Sequence, residues 1–145
     1  MKGNNFFKAY TSRYNTPDFM VYLSPENIQG EAKRIFREMI KGKIDFAQYG
    51  SYFQDPKFTE NLLVACEAEF NFNSTNAKAL YYYALHTRDG SEQVRYNYET
   101  STILAHCYKT ILDRLRTLKA SFYSDIGCLT DIPIILSQYR NYNKL

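Results

Sequence analysis

Tryptophan is absent from this chain, and glycine and proline are scarce, at six and four in 145 residues. The glycines do not cluster, and no G-x-x-x-x-G-K, G-x-G-x-x-G or G-x-S-x-G occurs. A phosphate-cradling loop or a nucleophile elbow therefore has no obvious place to form. There is no CxxC pair. Cys66, Cys107 and Cys128 are odd in number and widely spaced, which speaks against a zinc site or a thioredoxin-type motif. They read as buried thiols in a reducing compartment. His86 and His106 are the only histidines, with no H-E-x-x-H and no Glu-x-x-His, so no metal and no cofactor is expected. Met1 to Tyr14 holds no apolar run of the signal-sequence kind, and no window is long enough for a membrane span. The expectation is a soluble, intracellular protein, in host cytoplasm or a virion if it is viral. An excess of one charge sign is also lacking: 18 lysines and arginines stand against 15 acids, a net charge of +3, far from the strongly basic balance of a nucleic-acid-binding domain.

Aromatic residues are what the chain has in quantity. Fourteen tyrosines and ten phenylalanines make up 17% of it. Tyrosine joins a broad apolar ring to a polar tip, which suits core margins and protein interfaces. Nucleotide bias in the source genome is the bland account, since Asn, Tyr, Lys and Ile are all plentiful.

Between Ser91 and Ile126 there is neither glycine nor proline. Leu104, Tyr108, Ile111, Leu115, Leu118 and Phe122 recur there at alternating spacings of four and three, which places them on one stripe of a helix. The fold class this implies is all-α: a compact antiparallel bundle of about five helices in a single domain, residues 23–145. It has one long helix over about 91–123, capped by Ser91 and ended by Gly127. Ser24 with Pro25 and Glu26 starts the first helix, whose apolar face is Ile28, Ala32, Ile35, Phe36 and Met39, and Gly42 ends it. Asp45 to Phe53 reads as a short helical turn interrupted by Gly50. Asp55-Pro56 opens a second helix with Phe58, Leu62, Ala65 and Cys66 inward. A polar break at Asn71 to Thr75 separates it from a third helix carrying Ala77, Leu80, Tyr81, Ala84 and Leu85, closed by Asp89-Gly90. A last short helix begins near Asp131, with Pro133 in its first turn and Ile134, Ile135, Leu136 and Tyr139 following. Phe19 to Leu23 and Ala68 to Phe72 are weak strand candidates.

Residues 1–22 read as an irregular basic-aromatic arm. Phe6, Phe7, Lys8, Tyr10, Arg13 and Tyr14 are its candidate partner-binding residues, because a tail with no docking role would carry fewer rings. Tyr81-Tyr82-Tyr83 covers about 200° of a helix, so at least one ring, Tyr82 being the candidate, faces outward to a partner or the core margin. Lys33, Arg37 and Lys41 follow i, i+4, i+8 and make a positive stripe. A solvated surface is the ordinary reading of such a stripe, and a phosphate or an acidic partner the sharper one. His106 and Cys107 point about 100° apart and cannot easily form a dyad, and Cys107 lies next to the apolar stripe, where burial is the default.

These features point to a non-enzymatic structural or interaction protein. It would be a subunit of a larger oligomer or hetero-assembly, such as a head–tail connector-like ring component of a viral or phage particle, with other protein subunits as partners. The alternative is a small inhibitor or regulator that binds a host protein or nucleic acid through its basic helix face. No membrane partner is implied.

Overall fold

Two helices of nearly equal length set the architecture. The computed structural model describes residues 28–87 and 91–143, and among them there are five α-helices and no strand. They are α1 (Ile28–Ile40), α2 (Phe46–Phe53), α3 (Pro56–Thr87), α4 (Glu92–Ala120) and α5 (Ile132–Asn143). A short 3-10 helix, Ile126–Leu129, precedes α5. The expected all-α bundle is present, but with two long helices instead of one.

The polar break expected at Asn71 to Thr75 does not exist, and neither does the strand at Ala68 to Phe72: both lie inside α3, a single helix of 32 residues. The physical reason is visible at Asn73. Its side chain is buried, and Nδ2 donates to the carbonyl of Glu69 one turn back at 2.7 Å. The polar segment thus satisfies itself on the helix it was expected to break. Neither glycine nor proline occurs between Lys57 and Asp89, so no residue there forces a stop. Gly50 does not interrupt α2 either. The strand candidate at Phe19 to Leu23 and the arm at 1–22 lie outside the described residues.

Helices α3 and α4 run antiparallel along their whole length. Cross-links fall in register from one end to the other: Lys119 with Glu60 at 3.9 Å, Arg116 with Glu67 at 3.5 Å, Asn76 Nδ2 donating to Ser101 Oγ at 2.7 Å, and Tyr81 against Tyr98 with ring centroids 6.1 Å apart. The Cys66 thiol donates to the Tyr108 carbonyl at 3.3 Å. Ser91 caps α4 by accepting from the Val94 N–H at 3.2 Å, which satisfies one of the four donors that a helix start leaves unpaired.

The shorter helices pack on one half of this hairpin. Ile35, Phe36 and Met39 of α1 are fully buried with Ile111, Leu115 and Leu118 of α4 and Leu136 of α5. Phe36 meets Tyr108 edge-on at 5.6 Å. Tyr52 and Phe53 of α2 both contact Phe58 at the foot of α3, and Thr59 Oγ1 donates to the Phe53 carbonyl. Each fully buried ring or branched side chain contributes about 1.5–3 kcal/mol. Arg114 ties the 3-10 helix and α5 to α4, donating to the Asp131 carboxylate at 2.5 Å and the Cys128 carbonyl at 3.2 Å. Glu31 is buried because Arg34 holds it through two bonds of 2.8 and 2.6 Å, and Arg34 also reaches the Tyr49 hydroxyl at 3.1 Å. That bridge fixes α2 against α1.

Helix ends explain two further departures. Gly42, at φ 73°, ends α1 as expected. Its N–H bonds Met39 O and the Lys43 N–H bonds Glu38 O, the reciprocal pair of a Schellman motif. The same pair of bonds ends α4, from Phe122 N to Lys119 O and from Tyr123 N to Leu118 O. Here Phe122 takes the left-handed position at φ 55°, followed by Tyr123 at φ 65°. Phe122 is therefore 89% exposed and not part of the core stripe, because the helix stops two residues before it and turns it outward. Leu104, at the other end of the stripe, is only half-buried, and Ile134 of α5 faces out.

Leu115→Ala should lower unfolding free energy by about 3–4 kcal/mol in urea titration, because it empties a fully buried site. Leu85→Ala, at an exposed position, should change it by less than about 0.5 kcal/mol. Phe122→Gly should stabilise by about 1 kcal/mol, since glycine takes positive φ without strain. Gly50→Ala should add about 0.5–1 kcal/mol, as a methyl group there meets nothing within 4 Å.

Candidate functional site

Two surfaces stand out, of opposite chemistry. The first is where α1 crosses α3 and α4. Lys33, Arg37 and Lys41 line a cleft of about 320 Å³ there, together with Ile40, Glu69, Leu104 and Tyr108. The i, i+4 spacing puts the three cations on one face of α1, while Ala32, Ile35, Phe36 and Met39 take the face turned to the core. Glu69 enters the cleft from α3, and its carboxylate stands 3.7 Å from Lys33 Nζ. Tyr108 lies at the bottom and is nearly buried. Loss of water raises its phenol well above the ordinary range, with Glu69 adding in the same direction and the Arg37 charge opposing.

The second surface is the far end of the hairpin. Residues 78–87 of α3 and 91–100 of α4 include no buried side chain. These ten-residue segments carry the hairpin about 15 Å past the last buried position of α3, Ala77. The rings there touch one another instead of a core. Tyr81 contacts Tyr82 at 5.6 Å, and Tyr82 stacks on His86 at 6.2 Å. A small groove of about 150 Å³ lies between the helices, walled by Tyr81 and Tyr98 with Leu80, Ala84 and Val94. Tyr81, Tyr82 and Tyr83 are each about half exposed, at 51%, 50% and 48%, and Leu85 and Tyr96 are more so. Tyr81 and Leu85 are thus surface residues and not the inward pair their helical spacing suggested. α3 outruns the body that would have covered them.

The other sequence-selected residues fall as follows. Tyr82 belongs to the exposed end of the hairpin, while Phe6, Phe7, Lys8, Tyr10, Arg13 and Tyr14 lie outside the described residues. Lys33, Arg37 and Lys41 are brought together with each other, and with an apolar floor that sequence reading missed. Leu104 and Tyr108 come from another helix, and only the crossing of α1 and α4 brings them near. Arg34 is not part of the stripe, since Glu31 engages it and holds its guanidinium charged well above the usual range. Arg114, Arg116 and Lys119 are spent on cross-links between elements.

The residues that invite catalytic readings do not converge. His86 sits in the last turn of α3, and His106 stacks on Tyr139 of α5 at 5.7 Å. Cys107 is fully buried. Burial pushes the Cys66 thiol up, and Cys128 is raised for the same leading reason. Among the described residues no group of three or more His, Cys, Asp or Glu could hold a metal ion, and no helix is long and apolar enough to cross a membrane. No protein-family model, curated protein or solved structure matches the chain.

At the foot of the hairpin, Tyr123 donates its phenol proton to the Glu60 carboxylate. Burial, then that carboxylate, raises its pKa to about 12. A phenol that holds its proton more tightly when folded adds stability that is complete below about pH 10, the unfolded value. That stability disappears as pH rises through the folded value. Tyr108 and Cys66 shift in the same direction. The urea midpoint should therefore stay level from about pH 7 to about pH 8, begin to fall at about pH 9 as the Cys66 thiol starts to titrate in the unfolded chain, and fall more steeply above about pH 10 where the phenols join it. Tyr123→Phe should make that alkaline fall shallower.

Proposed function

We propose that this chain is a non-enzymatic interaction protein, a subunit of a larger protein assembly. The observation that carries the reading is the end of the α3–α4 hairpin. Three consecutive half-exposed tyrosines, with Leu85 and Tyr96, stand beyond the last core residues, where no described element covers them. A helical hairpin of this length costs ordering entropy that its exposed half does not recover from core burial. Tyrosine-rich projections recover it against a partner, where large amphipathic rings lose little freedom on contact. A ring component joining the head and tail of a viral or phage particle is the kind of assembly we favour, on size and helical character alone. The second reading, a small regulator acting through a basic helix face, draws on the cleft where Lys33, Arg37 and Lys41 meet.

Light scattering of the purified chain should show self-association that depends on concentration. The Tyr81→Ser, Tyr82→Ser, Tyr83→Ser triple variant should remain monomeric with a urea midpoint close to that of the parent, because none of the three rings is in the core. A monomeric parent whose residues 1–22 resist protease would count against the assembly reading.

A further inference from the structure

The cleft between α1, α3 and α4 combines three features that the exposed hairpin end lacks. Its cations are spaced one turn apart over about 12 Å, on α1 and the turn that ends it. Its floor is apolar, made by Ile40, Leu104 and the ring of Tyr108. It also holds one carboxylate, Glu69, already engaged by Lys33 at 3.7 Å. Among the described residues no acid within ion-pair distance neutralises Arg37 or Lys41, which leaves local charge in excess. Both side chains are exposed, so neither has lost its water in advance.

These features discriminate between anionic ligands. A nucleic-acid backbone presents a dense row of charges, gains nothing from an apolar floor and meets repulsion from Glu69. The chain's net charge of +3 provides little long-range attraction for such a polyanion. An isolated carboxylate beside an apolar side chain matches both the cations and the floor. The cleft volume of about 320 Å³ accommodates one or two side chains.

We propose that this cleft binds an acidic segment of a protein partner, with a carboxylate held between Arg37 and Lys41 and a neighbouring apolar side chain on the floor made by Ile40, Leu104 and Tyr108. The proposal deepens the second reading above by naming the partner's chemistry, and it does not depend on the exposed tyrosines. Glu69 acts against the ligand and sets an upper bound on affinity. The contact is of the small, charge-assisted kind that forms and releases readily.

The test is a fluorescence-anisotropy titration of the full chain at low ionic strength. The probe is an end-blocked, dye-labelled hexapeptide of glutamates around one leucine. Saturable binding that weakens with salt is expected, and it should drop roughly tenfold in Arg37→Glu and in Lys41→Glu. Glu69→Gln, which removes the one carboxylate in the cleft, should tighten binding severalfold. Lys78→Glu, exposed outside the cleft, should leave it unchanged. Circular dichroism checks that each variant keeps its helices. Where a charge reversal loses them, Arg37→Gln or Lys41→Gln replaces it, with a smaller loss of affinity expected. Absence of saturable binding, an affinity unchanged in the Arg37 and Lys41 variants, or tighter binding of a single-stranded oligonucleotide than of the peptide overturns the proposal. The Tyr81, Tyr82, Tyr83 triple variant should bind the peptide as the parent does, so a failure here is separable from a failure of assembly through the hairpin end.

Discussion

The antiparallel seam between α3 and α4 is the constraint from which the rest of the described structure follows, because every other described element is too short to organise a core alone. Helices of 13, 8 and 12 residues are marginal in isolation and take their stability from packing. They find a surface only where the hairpin has already assembled one. The apolar stripe from Ile103 to Leu118 supplies it, with Phe58, Leu62 and Cys66 opposite. Cross-links of modest individual strength, such as Lys119 with Glu60 and Arg116 with Glu67, align the two helices, while the buried apolar side chains supply most of the free energy.

The seam changes character along its length. From Phe58 to Cys66 it is apolar. At Asn73, Asn76 and Ser101 it becomes polar yet stays satisfied, one amide bonding its own helix and the other bonding across. Beyond Ala77 it is a narrow contact in which Tyr81 meets Tyr98 and no described residue is buried. This gradient separates a body that holds itself together from a projection that offers side chains outward. The body's other end carries a local strain, two successive left-handed aromatic residues. The ring of Tyr123 offsets that strain by burial and by its bond to Glu60, while Phe122 stays in water. The structure supplies no packing reason for a phenylalanine at that exposed position.

The two surfaces differ in chemistry. The hairpin end offers large rings and little charge, which suits a broad protein contact. The cleft on the body offers fixed cations over an apolar floor, which suits a small acidic feature. Arg34, although part of the same run of basic residues, serves a structural purpose by neutralising the buried Glu31. A run of like charges in sequence therefore mixes an exposed face with an internal bridge, and only the contacts each side chain makes tell them apart.

Read alone, the chain determined its class and most of its helix starts and stops, because those depend on neighbours within one or two turns. Ser91 as a cap, Gly42 as a left-handed terminator, Pro133 in a first turn and the spacing from Tyr108 to Leu118 are all local facts. The continuity of α3 is legible in the absence of glycine and proline after Pro56, and the polar residues at 71–75 do not outweigh it, because Asn73 bonds back onto its own helix. What the tertiary structure decided is which amphipathic faces find a cover. Tyr81 and Leu85 have the periodicity of core residues, and they remain outside because the body ends before reaching them. Leu104 and Tyr108 join Arg37 and Lys41 only through a helix crossing, and no spacing along the chain encodes that crossing. Burial is a property of what lies opposite, and a single strand of letters records only what lies adjacent.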